Sequence, residues 1–183
     1  GQFKYPERKK ETEYFYKWFS DQAYKIIKIP YDFEGGGDAL IWQKKVIGGH
    51  GFRSAPKGIE VAASFIKKEA VLLKLVDPRF YHVDTCFAPM GKRALFYPKA
   101  FAVDSCRALE KLGEVIPIDE KDALRRGCNG VYLKGELNPK YVVNDVSRKL
   151  EKKLEKLAIE IIFNKTSEFE KSGGSNRCLS LFL

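Results

Sequence analysis

Short apolar runs alternate with amphipathic segments along this 183-residue chain. Short runs rich in β-branched and aromatic residues are typical of strands, whereas apolar residues spaced three and four apart are typical of helices. The pattern predicts strands at residues 23–29, 39–42, 46–49, 71–76, 80–87, 94–97, 115–118, 128–133 and 158–163, with a last one at Cys178. It predicts helices at residues 6–20, 56–68, 105–112 and 119–124, and from about 144 to 157.

The alternation of short strands with helices predicts an α/β domain. With 44% hydrophobic residues the chain can bury one full core, so we expect a single domain over residues 1–183. An aromatic stripe on the first helix is expected to pack on that core, and it consists of Tyr14, Phe15, Trp18 and Phe19. The expected N-caps of later helices are Ser105, Asp119 and either Asn144 or Asp145.

Composition narrows the class of protein. The net charge of +9 raises nucleic-acid binding as a hypothesis, but most lysines alternate with glutamates, which is typical of a solvated helix face. No apolar run approaches the roughly 18 residues of a membrane span, and the first residues lack a secretory core. We therefore expect a cytoplasmic protein with neither a nucleic-acid nor a membrane partner.

The cysteines and histidines do not suggest a metal site. Four cysteines and two histidines are widely spaced, with no C-x-x-C pair. Zinc ligands normally occur in close pairs, so we predict reduced thiols and neither a metal nor a cofactor.

The last dozen residues place one of these cysteines in an unusual setting. Gly173 and Gly174 form a flexible turn that leads to Cys178. Glycine pairs let the backbone approach a ligand closely, so this is a suitable place for a nucleophile. A buried structural cysteine in a C-terminal hairpin is the alternative, and this segment alone leaves both open.

Two further stretches carry titratable groups. If residues 80–87 form a strand, His82, Asp84 and Cys86 share one face, which suits either a core histidine or a functional one. Glu34 and Asp38 bracket three glycines in a loop without the Gly-Lys-Ser/Thr of a phosphate loop. Such an acidic loop would repel phosphate and attract a cation.

These groups fit a cationic substrate. A cysteine nucleophile needs a proton-transfer partner, and His82 is the better candidate of the two histidines. Additional carboxylates disfavour a thiolate unless the substrate itself brings positive charge. A guanidinium group meets this requirement, because carboxylates accept its N–H groups in pairs. Arg53 would then be free to bind a carboxylate at the other end of the substrate.

The chain resembles the guanidine-modifying, or amidinotransferase-like, superfamily, which includes arginine deiminases, dimethylarginine dimethylaminohydrolases and glycine amidinotransferases. The matching segments occur in the family order at residues 33–40, 51–54, 80–87, 129–130 and 173–179. The His-x-Asp-Thr and terminal Gly-Gly-x-x-x-Cys motifs are specific when taken together.

The resemblance implies roles for six residues. Cys178 resembles the nucleophile, His82 the general acid/base and Glu34 the carboxylate that completes the triad. Three glycines separate Glu34 from Asp38, so a neighbouring position remains an alternative to Glu34. Asp84 and Asp38 resemble the carboxylates that bind the guanidinium, and Arg53 resembles the arginine that binds the substrate carboxylate.

The implied fold is a five-bladed α/β propeller, or pentein, of ββαβ units. This chain is expected to supply only its later blades, completed by an N-terminal segment or by a second copy of the chain. The implied reaction is hydrolysis of arginine or a methylated arginine to citrulline through a covalent thiouronium. An amidinotransferase with an amine acceptor and a non-catalytic relative that binds arginine-like ligands or a partner chain are the alternatives.

Overall fold

The structure, a computed structural model, describes residues 1–135 and 137–182. Its helices are Glu11–Asp21 (α1), Pro56–Phe65 (α2), Val103–Leu112 (α3), Glu120–Leu124 (α4), Arg148–Glu155 (α5) and Ser167–Glu170 (α6). Its strands are Ala39–Trp42 (β1), Lys45–His50 (β2), Ala70–Lys74 (β3), Phe87–Met90 (β4), Arg93–Phe96 (β5), Glu114–Pro117 (β6), Val131–Leu133 (β7), Lys140–Val143 (β8) and Glu160–Phe163 (β9). The predicted α/β class is confirmed.

The nine strands form three sheets of the same design. In each sheet the first two strands pair as an antiparallel hairpin, and the third returns parallel to the second. The connection to the third strand contains a helix, which is α2, α3 or α5, because a parallel pairing requires a crossover. The chain is therefore built from three consecutive ββαβ units.

The first strands of the units bring the three sheets together. Strand β1 contacts β4, and β4 contacts β7. One hydrophobic cluster runs through all three units, from Leu40 in the first to Ile159 in the third, and includes the fully buried Phe80, Phe87 and Tyr141. The segments that precede β1, β4 and β7 consequently lie close to one another.

The N-terminal segment differs from the sequence prediction. Helix α1 begins at Glu11 after a short 3-10 turn, and it has no buried residue. Its aromatic side chains do not pack on the core: Tyr14, Phe15 and Trp18 are exposed. Helices α2, α3 and α5 pack on the sheets instead, and the core clusters contain no α1 residue. Residues 24–29 form no strand in the structure.

Two of the predicted caps are also wrong. Helix α3 starts before Ser105, whose Oγ instead accepts a hydrogen bond from the Lys74 amide of β3. Helix α5 is capped by Ser147, whose side chain accepts from the Leu150 amide. The cap at Asp119 is confirmed, because its side chain accepts from the Asp122 amide.

Three further differences concern strands. Strand β8 was not predicted from the sequence, and the segment around Cys178 forms turns where a last strand was predicted. The predicted strand over residues 80–87 is replaced by the 3-10 turn Val83–Thr85, with β4 starting at Phe87.

None of the helices in the described residues is long and apolar enough to cross a membrane.

Tyr141 ties β8 to the turn before β7, and its loss should destabilise the fold. Its buried hydroxyl donates to the Gly127 carbonyl at 2.8 Å and accepts from the Gly130 amide at 3.2 Å. We expect Tyr141→Phe to lower the free energy of unfolding by about 1–3 kcal/mol, because two buried backbone groups lose their partner. Urea denaturation followed by circular dichroism measures this.

Tyr132→Phe is the matched control. The Tyr132 side chain is only partly buried, and its hydroxyl has no hydrogen-bond partner among the described residues. A change below about 0.5 kcal/mol is expected there. Equal losses in the two variants would contradict the assigned role of the Tyr141 hydroxyl.

Candidate active site

The polar residues of the site come from segments that directly precede the first strand of a unit. Glu34 and Asp38 precede β1, His82 and Asp84 precede β4, and Asn129 precedes β7. Because these three strands lie side by side, the segments converge at one edge. Cys178 reaches the same place from the turns that follow α6.

The segments enclose a cleft of about 660 Å³. Five of the six residues predicted from the sequence line it: Glu34, Arg53, His82, Asp84 and Cys178. Asp38, the sixth, is fully buried and does not line the cleft in the described part of the chain. Its Oδ2 lies 4.0 Å from His82 Nε2, so Asp38 lies beside the imidazole.

The carboxylate that meets the histidine is Glu34. His82 Nε2 and Glu34 Oε2 are 2.8 Å apart. The Glu34 side chain is 1% exposed, and it also accepts from Arg53 Nη1 at 3.1 Å and from the Lys4 amide at 3.2 Å. In the structure Glu34, and not a neighbouring residue, therefore contacts the His82 imidazole.

Opposing effects act on the pKa of Glu34. Burial alone would raise it, but hydrogen bonds from His82 and the Lys4 amide, together with the charges of His82 and Arg53, lower the pKa to about 2. In the same way, the hydrogen bond to Glu34 and the charges of Asp38 and Asp84 outweigh burial and raise the pKa of His82. The pair therefore favours an imidazolium against an ionised carboxylate.

Asp38 has fewer hydrogen-bond partners than Glu34 among the described residues. Its Oδ1 accepts from the Val83 amide at 3.1 Å, whereas its Oδ2 is buried without a hydrogen-bond partner among the described residues. Burial raises the pKa of this carboxyl group above its usual value. The adjoining Gly37 leaves room for the imidazole, since a Cβ there would lie 2.7 Å from His82 Nδ1.

Cys178 and Asp84 form a hydrogen-bonded pair. The Cys178 thiol donates to Asp84 Oδ2 at 3.3 Å, and Asp84 Oδ1 is buried without a partner within the described residues. Burial raises the pKa of Asp84 to about 6. Enclosure of the sulfur and the adjacent carboxylate raise the pKa of Cys178 to about 12. Cys178 is thus held as a protonated thiol beside a buried carboxyl group.

Arg53 also lines the cleft. Its guanidinium lies between the rings of Tyr5 and Tyr81, at 4.5 and 4.6 Å from their centroids. One of its nitrogens, Nη1, pairs with Glu34. Arg8 and Arg177 also line the cleft, so its lining combines basic groups with the carboxyl groups of Glu34 and Asp84.

The structure separates Cys86 from the site, although the sequence placed it on one face with His82 and Asp84. Cys86 is fully buried, and its thiol lies 3.6 Å from the Val83 carbonyl. The 3-10 turn between His82 and β4 breaks the two-residue alternation on which that prediction depended. Sequence reasoning also missed Asn129, whose side chain contacts the Cys178 sulfur at 3.2 Å. The available signal was that residues 129–130 form one of the segments that resemble the family.

Metal ligands do not cluster in the described ranges: no group of three or more His, Cys, Asp or Glu side chains is placed to hold an ion there. The acidic groups of the cleft instead face the thiol and the imidazole. The arrangement can offer a nucleophile, a proton carrier and the carboxyl groups of Glu34 and Asp84 to a small organic cation.

Comparison with known proteins gives the family. No protein-family model matches the chain. A crystal structure of the N-terminal domain of ArgZ, covalently bonded to a reaction intermediate, superposes with a TM-score of 0.93 at 36% identity and covers 98% of this chain and 68% of that one. The chain belongs to the guanidine-modifying superfamily of arginine deiminase- and dimethylarginine dimethylaminohydrolase-like proteins.

Two curated members of the family match nearly the whole chain. The bifunctional arginine dihydrolase/ornithine cyclodeaminase ArgZ of Synechocystis is 37% identical over 189 residues, which are 99% of this chain and 26% of that protein. The N(G),N(G)-dimethylarginine dimethylaminohydrolase of Mycobacterium tuberculosis is 31% identical over 183 residues, which are 99% of this chain and 59% of that protein. The chain thus spans about a quarter of the first protein and over half of the second.

The contact between Glu34 and His82 should be visible in solution. We expect the His82 imidazole to titrate above the ordinary pKa of 6.5, and Glu34→Gln to lower that pKa because the carboxylate charge is lost. Histidine NMR signals followed against pH measure this. His50 is the internal control, since burial and Lys74 lower its pKa independently of Glu34. An unchanged His82 titration in the variant would disprove the contact.

The same contact should make stability depend on acid pH. The pKa of Glu34 is about 2 in the folded protein, against an ordinary value of 4.5. A lowered carboxyl pKa contributes stability above pH 4.5 that is lost as the pH falls towards 2. We expect wild type to exceed Glu34→Gln in unfolding free energy at about pH 6, with the difference shrinking over that window. Denaturant titrations at several pH values test this, and a difference independent of pH would contradict it.

Proposed function

We propose that the protein hydrolyses a guanidinium carbon–nitrogen bond through Cys178. The observation that carries the proposal is the pair formed by the Cys178 thiol and Asp84, whose second carboxylate oxygen is buried and unpartnered. A guanidinium in the cleft would lie beside this carboxyl group and supply positive charge to it, and its N–H groups would replace the thiol as donor to Oδ2. A guanidinium bound there would also lower the pKa of the adjacent thiol.

The proposed reaction uses the groups that line the cleft. Binding of the guanidinium makes the Cys178 thiol release its proton to solvent, and the thiolate attacks the guanidinium carbon. His82 donates a proton to the departing amine as the carbon–nitrogen bond breaks. A thiouronium remains on the sulfur. Water, which loses a proton to His82, adds to the same carbon, and cleavage of the carbon–sulfur bond releases the ureido product and the thiolate.

Glu34, Asp38 and Arg53 support these steps in different ways. Glu34 holds the imidazole and stabilises its protonated form through the 2.8 Å contact. Asp38 lies 4.0 Å from the imidazole and outside the cleft lining, so its predicted contact with the guanidinium requires a shift on binding. Arg53 keeps Nη2 and Nε for a substrate carboxylate while Nη1 pairs with Glu34.

Arginine is the proposed substrate, with citrulline and ammonia as products. The more similar curated relatives are named for arginine, and the methylarginine hydrolase is more distant. Both names describe hydrolases, which favours water over an amine acceptor. Structures of the ArgZ domain bound to substrate and to product agree with a small-molecule site in this fold.

The three ββαβ units would then be part of a five-bladed propeller. The contacts from β1 to β4 and from β4 to β7 support this proposal, because inner strands of successive blades would meet in this way. A further segment or a second copy would supply the other blades. Size-exclusion chromatography with light scattering distinguishes these two by mass.

A cationic alkylating reagent tests the proposed function. We expect 2-chloroacetamidine, an analogue of the guanidinium, to label Cys178 in preference to the partly exposed Cys106, and arginine to slow the reaction. Mass spectrometry of the digested protein maps the labels, with neutral iodoacetamide as the reagent control. Equal labelling of both cysteines by both reagents would show that no guanidinium site is formed.

Asp84→Asn is the matched variant for this experiment. The substitution removes the Asp84 charge, which would attract the amidinium. The same charge raises the pKa of the Cys178 thiol, so its removal lowers that pKa. We therefore expect the variant to lose its preference for chloroacetamidine while Cys178 reacts faster with iodoacetamide. Release of citrulline from arginine, abolished by Cys178→Ala, tests turnover.

A further inference from the structure

We propose that Asn129 is a positioning residue that fixes the Cys178 sulfur and the turn that carries it, ready for attack. The role in attack rests on the proposed function, whereas the contacts of Asn129 do not depend on it. Asn129 is fully buried directly before β7, and it connects the third unit with the C-terminal turns.

One half of the Asn129 amide holds the backbone of the cysteine turn. Its Oδ1 accepts hydrogen bonds from the Ser175 amide at 2.8 Å and from the Cys178 amide at 3.4 Å. The Asn129 carbonyl accepts a third bond, from the Arg177 amide at 2.9 Å. A single residue therefore fastens three of the four residues from Ser175 to Cys178, a segment that contains no regular secondary structure.

The other half of the amide faces the sulfur. Nδ2 donates to the Asp84 carbonyl at 2.9 Å and to Cys178 Sγ at 3.2 Å. Backbone N–H groups can only donate and a carbonyl can only accept, so these neighbours fix which end of the amide meets the thiol. The sulfur is thereby presented with an N–H donor, which favours the thiolate over the thiol.

The Asn129 amide also links the nucleophile to its acidic partner. Through Nδ2 it contacts both the main chain of Asp84 and the sulfur to which the Asp84 side chain is bonded. Once a bound cation takes over the Asp84 carboxylate, the amide contact on the sulfur remains. Asn129 would then stabilise the thiolate at the moment when it attacks.

Two substitutions separate the two halves of the amide. Asn129→Asp keeps an acceptor for the Ser175 and Cys178 amides but replaces the donor with a carboxylate oxygen. Asn129→Ala removes both. Asn176→Ala is the control, because Asn176 is nearly as buried and ties the same turn to Asn164 without contacting the sulfur.

The measurement is the rate of Cys178 alkylation by iodoacetamide between about pH 8 and 10, mapped by mass spectrometry. It requires neither turnover nor a bound guanidinium, so it remains informative if the protein has no hydrolase activity. We expect Asn129→Ala to lower the rate at each pH by about three- to tenfold, since one pKa unit removes tenfold of the thiolate and higher nucleophilicity offsets part of that. Asn129→Asp should lower it further.

Hydrogen exchange at the Ser175 and Cys178 amides reports on the bonds that these amides donate to Asn129 Oδ1. We expect protection to be retained in Asn129→Asp and lost in Asn129→Ala. Asp84, His82, Tyr81 and Arg177 also line the cleft and are unchanged in these variants, so they do not account for a difference. Thermal unfolding of each variant identifies any that fails to fold.

Two results would overturn the proposal. If Asn176→Ala slows alkylation as much as Asn129→Ala, order in the turn rather than the Asn129 amide determines the reactivity. If folded Asn129→Asp reacts as fast as wild type, the donor has no role at the sulfur.

Discussion

The burial of three carboxylates around one imidazole is the constraint on which the rest of the site depends. Ionised groups that leave water are costly unless partners replace the lost hydration. Glu34 receives such partners from His82, Arg53 and the Lys4 amide. Asp38 and Asp84 receive fewer, and each keeps one buried oxygen unpaired among the described residues. Burial therefore raises the pKa of Asp38 and of Asp84, whereas the partners of Glu34 lower its pKa to about 2.

The fold creates this concentration of charge by repetition. Each ββαβ unit begins with a strand that lies beside the first strand of the next unit, so three preceding segments meet at one edge. Two of these segments contain a 3-10 turn, Gly35–Gly37 before β1 and Val83–Thr85 before β4. The two turns lie at the same distance from the strand that follows, but Asp38 comes after its turn and Asp84 lies within its own. Both carboxyl groups nevertheless lie near His82, and Asp84 alone of the two lines the cleft in the described part of the chain.

Much of the site could be predicted from the sequence, because its residues occur in short motifs with a recognisable order. Glu34, His82, Asp84 and Cys178 indeed lie in or beside one cleft. The contact of Asn129 with the sulfur could not be predicted, since 49 residues separate the two side chains and only the packing of the third unit joins them. The period-two prediction failed for Cys86 because a 3-10 turn does not alternate its side chains as a strand does.

The fold was predicted best where local pattern and packing agree. The middle of β2 is apolar and buried, so the pattern of its residues reflects its environment. Helix α1 shows where this reasoning fails: its aromatic stripe predicts a core contact, yet Trp18 and Phe19 meet each other edge-to-face at 4.9 Å on an exposed helix. Periodicity predicts that a face is apolar but not what covers it. The cap at Ser147 was missed because neighbouring Asn144 and Asp145 suit a helix start equally well.

The hydrogen bond from the Cys178 thiol to Asp84 has a consequence for the survival of the resting protein. Peroxides oxidise the thiolate far faster than the thiol, and the first product, a sulfenic acid, leads on to irreversible forms. A cysteine at the surface of a cleft would ordinarily be vulnerable to this damage. Here burial and the adjacent carboxylate keep the proton on the sulfur. Asp84 thus slows the oxidation of the Cys178 sulfur.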